Sequence, residues 1–257
     1  MGDTAQQMKP VTLLTILAAV CMWSTTVLAA PSTLIYDSRL DVPEPRPSEF
    51  ERGRVEYLSR TVSAALWRRA WGDAFDLGLC DHTDFAILGL ANGAFTVRGV
   101  NQTAMLYTFC TNGLGSLQGL VILQNKVAVA HYIFVGGFFR VTALRDINAN
   151  GFAELVLYGG SLGQGYSVGQ LQIAELRPGR RLLGELDEPS WDNCGLESGE
   201  TYWRSQVIRV TPGPNPRYSQ QALTGTCENF GVATSVGPLR PLELKPLPTG
   251  WIVGPLK

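Results

Sequence analysis

The spacing of apolar positions changes once along this chain. Val55, Leu58, Val62 and Leu66 recur at helical intervals, and Arg52, Arg54, Glu56, Arg60 and Arg68 lie largely off that stripe. Ser48 and Glu51 form the pattern of a capping box, a hydroxyl followed three positions later by a carboxylate. Together they predict one amphipathic helix over about residues 49–70. Arg68 and Arg69 would then sit where the helix dipole favours cations. After Gly72 the pattern shortens to strands and turns. Apolar runs at 85–90 and 94–100 flank Ala91-Asn92-Gly93, a predicted hairpin turn. A strand at 104–110 follows, then runs at 119–124 and 127–134 around Asn125-Lys126. Further strands are predicted at 139–144, 153–158, 168–176 and 205–210. Strands this close, with no helix between them, predict a mainly β fold. It would be built of antiparallel meander sheets, propeller-like or sandwich, with one N-terminal helix.

The apolar run at 153–158 follows the one stretch with a specific chemical reading. Asp146, Asn148 and Asn150 place oxygen-bearing side chains at alternate positions, Gly151 follows, and Glu154 comes three residues later. Calcium takes six to eight oxygens from carboxylates, amides, backbone carbonyls and water, and a glycine at the sixth position permits the sharp turn. The expected ligands are Asp146, Asn148, Asn150, the carbonyl of Phe152, and Glu154. An EF-hand requires Glu at the twelfth position, and Leu157 stands there, so that motif is excluded. The competing reading is a bare turn, because Asn-Gly and Asx turns need no metal.

A ligand loop leading directly into a strand resembles the FG-GAP and VCBS type of repeat of integrin-α-like β-propellers. The resemblance covers about residues 141–171, in one copy. It implies calcium at the five positions just named. Asn150 stands where that pattern usually has Asp, and Glu154 where it has Asp. Two carboxylates alone imply weak binding, about 10⁻⁴–10⁻³ M.

Residues 1–29 read as a secretory signal: Lys9, a short apolar core, and Val27-Leu28-Ala29 with small residues before the cut. A retained anchor and a lipidated Cys21 fit less well, because Ser24-Thr25-Thr26 interrupts the segment and Val20 precedes the cysteine. The expected location is secreted or periplasmic, with no stable membrane span after cleavage. Residues 30–47 read as a Pro-rich linker, 48–236 as a helix plus β-rich domain, and 237–257 as a Pro-rich tail. Cys80, Cys110, Cys194 and Cys227 then predict two disulfides, Cys80–Cys110 and Cys194–Cys227 by proximity. Zinc would need closer cysteine spacing. The net charge of −1 shows no basic excess, which excludes the usual footprint of a nucleic-acid binder.

Catalytic motifs are weak. Two Gly-x-Ser-x-Gly matches, 159–163 and 165–169, lack a following helix signal and a later histidine. Asp81-His82-Thr83-Asp84 beside Cys80 reads mainly as a turn, and His131 as a strand residue. No catalytic residue or organic cofactor is predicted. The favoured function is a non-enzymatic binding or envelope-associated domain with one structural calcium loop and an unknown protein or envelope partner. The alternative is an extracytoplasmic hydrolase pairing Asp73, Asp76, Asp81 or Asp84 with Glu154 or Asp187.

Overall fold

The computed structural model describes residues 31–40, 46–63, 65, 85–112, 115–176, 181–196, 200–246 and 252–253. The signal segment at 1–29 lies outside them. So do residues 64 and 66–70 of the expected helix, Cys80 and the acids at 73–84.

The fold is mainly β, with two antiparallel sheets packed face to face as in a sandwich. The five-stranded sheet contains β2 (Ala86–Gly93), β3 (Gln102–Asn112), β4 (Gly115–Gln124), β5 (Val127–Gly136) and β13 (Ile252–Val253), in the order β13-β5-β4-β3-β2. The eight-stranded sheet contains β1 (Thr33–Asp37), β6 (Phe138–Leu144), β7 (Glu154–Leu162), β8 (Ser167–Glu175), β9 (Arg181–Asp192), β10 (Tyr202–Thr211), β11 (Arg217–Thr226) and β12 (Ser235–Leu242). Seven of these run in sequence order from β12 to β6, and β1 pairs with β10.

Alternation along β3 shows how the layers form. Ala104 and Leu106 face the second sheet, where they meet Val141, Leu155 and Leu157. Met105, Tyr107 and Phe109 face the other way, onto the helix. Helix α1 (Glu49–Leu58) continues as a π-helical turn at Ser59–Ser63 and buries Val55, Leu58 and Val62 on that face. Its capping box is formed: the Ser48 N–H donates to Glu51 Oε2 at 2.9 Å, and the Glu51 N–H donates back to Ser48 Oγ at 3.4 Å. His131, expected in a strand, is fully buried there, its Nε2 2.7 Å from the Tyr107 hydroxyl.

A third core lies on the outer face of the eight-stranded sheet. Leu144, Val156, Leu171 and Ile173 are covered there by Tyr36, Ile208, Val210 and Leu242. The sheet therefore folds back on itself, and β1 closes this side.

Several local expectations change. Ala91-Asn92-Gly93 is no hairpin turn; it is the end of β2, paired with residues 102–104. The turn follows at 95–99, where Gln102 Oε1 accepts from the N–H groups of Phe95 and Thr96, so 94–100 is not a strand. By contrast, Asn125 and Lys126 do form a two-residue hairpin turn, with φ of 49° and 67°, as type I′ requires. The stretch read as linker contains β1, and the stretch read as tail contains most of β12 and all of β13. The domain is braced by the Cys194–Cys227 disulfide, with Cα atoms 5.4 Å apart. Cys110 is also disulfide-bonded. No helix among the described residues is long and apolar enough to cross a membrane.

Candidate functional site

The loop between β6 and β7 is tied by its own side chains. Asp146 accepts the Asn150 N–H at Oδ1 (2.8 Å) and the Gly151 N–H at Oδ2 (2.7 Å). Asn150 Oδ1 accepts the Phe152 N–H at 2.9 Å. Ala149 and Gly151 take positive φ, 59° and 88°, which wraps the chain tightly. For Gly151 that conformation costs little, and a Cβ there would meet the Arg98 side chain at 3.1 Å. Phe152 is packed under the Arg98 guanidinium, 5.3 Å from its ring centre. The carbonyl of Ile147 accepts the Gly213 N–H at 2.8 Å, which fastens the loop to the β10–β11 turn.

Beneath the loop lies a residue that the sequence reading missed. Glu175, at the end of β8, is paired in register with Glu154 at the start of β7, and both are fully buried. Glu175 Oε2 accepts from Asn148 Nδ2 and from Asn150 Nδ2, each at 2.6 Å. Glu154 Oε2 accepts the Ile147 N–H at 3.0 Å. Four of the five expected ligand residues, Asp146, Asn148, Asn150 and Glu154, are thus gathered with Glu175 as an added carboxylate. Phe152 sits in the same loop. The signal for Glu175 was a lone acid inside the apolar run 168–176, but only the β7–β8 register places it opposite Glu154.

Charge makes this cluster costly by itself. Directly opposed strand side chains lie about 5 Å apart, and two carboxylates at that separation repel by about 3 kcal/mol at an effective dielectric near 20. Burial pushes the Glu154 carboxyl up to about 7, the Glu175 and Asp146 charges add to the rise, and the Ile147 N–H opposes it. Two buried oxygens, Glu154 Oε1 and Asn148 Oδ1, have no hydrogen-bond partner. An oxygen-rich, acid-paired site with orphaned acceptors fits a hard cation. Among the described residues no three His, Cys, Asp or Glu side chains form a metal-binding group. Here amide oxygens make up much of the donor set, so the fit rests on the carboxylates and amides together.

The other candidates do not assemble a catalytic centre. Both Gly-x-Ser-x-Gly matches lie in the β7–β8 hairpin, where no helix follows. Ser161 is exposed, and Ser167 donates its hydroxyl to Asp192 Oδ2. Comparison with protein families, curated proteins and solved structures gives no match.

Proposed function

We propose that this chain is an exported, disulfide-braced β-sandwich domain whose β6–β7 loop holds one structural calcium ion in the manner of an FG-GAP-type loop. The observation that carries the reading is the buried Glu154–Glu175 pair beneath the loop, with acceptor oxygens left unmatched at Glu154 and Asn148. Asp146, Asn148, Asn150, Glu154 and Glu175 would hold the ion, with the Phe152 carbonyl. When bound, it supplies the positive charge that two facing buried carboxylates need. Glu175 adds negative charge beneath the loop, where its Oε2 already accepts from the Asn148 and Asn150 amides. The role is to fix the start of β7 and present the rest of the sandwich to a protein or envelope partner.

The hydrolase alternative has less support. Glu154 is sealed from solvent, so it cannot meet a polymeric substrate, and the acids at 73–84 lie outside the described residues. Thermal melting of the full chain in calcium and in chelator tests the proposal, together with metal analysis of the purified protein. Equal melting temperatures in several millimolar calcium and in chelator would sink it.

A further inference from the structure

Beyond the loop, the outer face of the eight-stranded sheet carries a trough. Three depressions of about 650, 320 and 340 Å³ adjoin one another there, and the first extends past the sheet edge to Ser116 on β4, Val135 and Gly136 on β5, and Gly137. The first two share Gly160, Ser161, Val168 and Gly169, and the last two share Tyr158, Ser167 and Ser190. The trough runs across the strands from Phe139 on β6 to Trp203 on β10. Four strand spacings make that about 19 Å, the length of an extended chain of several units. Each volume is within or near the range of small-molecule sites, about 300–1,000 Å³.

Its walls mix rings with fixed hydroxyls. Phe139 is 46% exposed and stands edge-on to Tyr158, with ring centres 5.0 Å apart. Trp191 is half-buried, with Arg204 above its ring at 5.2 Å. Between them runs a hydroxyl chain: Tyr36 donates to Tyr158 at 3.2 Å, and Tyr158 lies 3.0 Å from Ser190 Oγ. Beside it, Ser167 donates to Asp192.

The charges balance. Arg39, Arg140 and Arg204 line the trough; Glu188 and Asp192 also line it, and Asp37 pairs with Arg39 at 2.7 Å. Glu188 pairs with Arg204, also at 2.7 Å. Three guanidiniums are thus matched in number by three carboxylates, and no positive surplus remains to draw a polyanion. An extended peptide gains affinity by adding a strand to a free sheet edge. The floor strands β7, β8 and β9 are each paired on both sides, and the edge strand β6 lies against β2, with Gly89 close to the Val141 backbone.

From these features we infer that the trough binds a neutral oligosaccharide. The rings cover the apolar faces of its sugars, and the hydroxyls, Asp192 and the guanidiniums exchange hydrogen bonds with its alcohols. Both Gly-x-Ser-x-Gly stretches, which have no nucleophilic role here, contribute to this wall.

The test titrates the full chain, in calcium, with cellohexaose, maltohexaose and chitohexaose. Tryptophan fluorescence reports on Trp191 and Trp203, which both line the trough, and calorimetry gives the affinity. At least one hexasaccharide should bind with a Kd below about 1 mM. Trp191→Ala should weaken it about tenfold or more, since the ring wall is lost. Because Trp191 also packs against Tyr202, a second variant is needed. Ser161→Arg fills the trough from an exposed position and should abolish binding without moving the melting temperature. The inference is overturned if none of the three sugars binds, or if Ser161→Arg binds as the wild type does. It is equally overturned if an unrelated extended decapeptide binds in the same trough more tightly than any of the sugars.

Discussion

Glu154 and Glu175 face one another across adjacent strands, both without solvent contact. The pair is stable with a cation between its oxygens or with a proton on one of them, and the two cases respond oppositely to mutation.

Calcium should raise the melting temperature. Binding confined to the folded state adds about 1.4 kcal/mol at ten times the dissociation constant. For a domain of this size that is about 3–6 °C. Asp146→Ala and Glu175→Gln should each abolish the rise. Magnesium should replace calcium poorly, because it keeps its waters and demands a small octahedral shell. Scanning calorimetry with each metal and each variant checks this.

Glu154→Gln should stabilise the protein in chelator while removing its response to calcium. The carboxyl sits near 7 in the fold, against an ordinary value near 4.5. Between those values the folded state binds more protons than the unfolded state. Metal-free stability therefore falls as pH rises through that window, by up to about 3 kcal/mol. The glutamine keeps an acceptor for the Ile147 N–H and carries no charge. Denaturant melts at pH 8 in chelator should show the variant ahead of the wild type by about 1–3 kcal/mol.

Acid should act through His131. Burial lowers this imidazole to about 4, from an ordinary value near 6.5. The unfolded chain takes up the proton first, so stability is lost as pH falls from about 6.5 to 4, by up to about 3 kcal/mol. His131→Gln keeps a partner for Tyr107 and should flatten that part of the stability–pH curve. A wild-type curve with the same slope as the variant's would contradict the assignment.

Removing the disulfide should be expensive. Cys194 and Cys227 close a loop of 33 residues, which the chain-entropy estimate values at about 3–4 kcal/mol. The Cys194→Ala, Cys227→Ala double variant should lose about that much in denaturant melts. Mass spectrometry of unreduced wild type should find no free thiol at Cys110, Cys194 or Cys227.

Local signals were legible where local chemistry decides the structure. The Ser48–Glu51 cap, the Asn125-Lys126 turn and the Asp146–Gly151 wrap each depend on residues within a few positions. Ala91-Asn92-Gly93 misled because its turn signal is overridden by pairing with β3. β11 was missed because its Ser219-Gln220-Gln221 stretch is polar, and β12 because it contains Pro238 and Pro241. β12 is the edge strand of the large sheet, where prolines are tolerated, and β11 lies next to it, paired on both sides. Glu175 could not be read as part of the site, since its membership depends on a strand register across 21 residues.

β1 spans only five residues, and it pairs Thr33 with Val210 and Asp37 with Val207. The first described strand thus acquires its partner only after most of the chain exists. A polypeptide emerging vectorially has to carry Leu34, Ile35 and Tyr36 uncovered while the hairpins from β2 to β9 assemble locally. Seating β1 is then the most non-local strand pairing among the described residues, and such closures are slow. Until it happens, the Val156–Ile173 face stays open to water and to other unfinished copies. The short opening strand therefore waits for β10 before it can clasp the fold, and that interval is one in which a chaperone has much to protect.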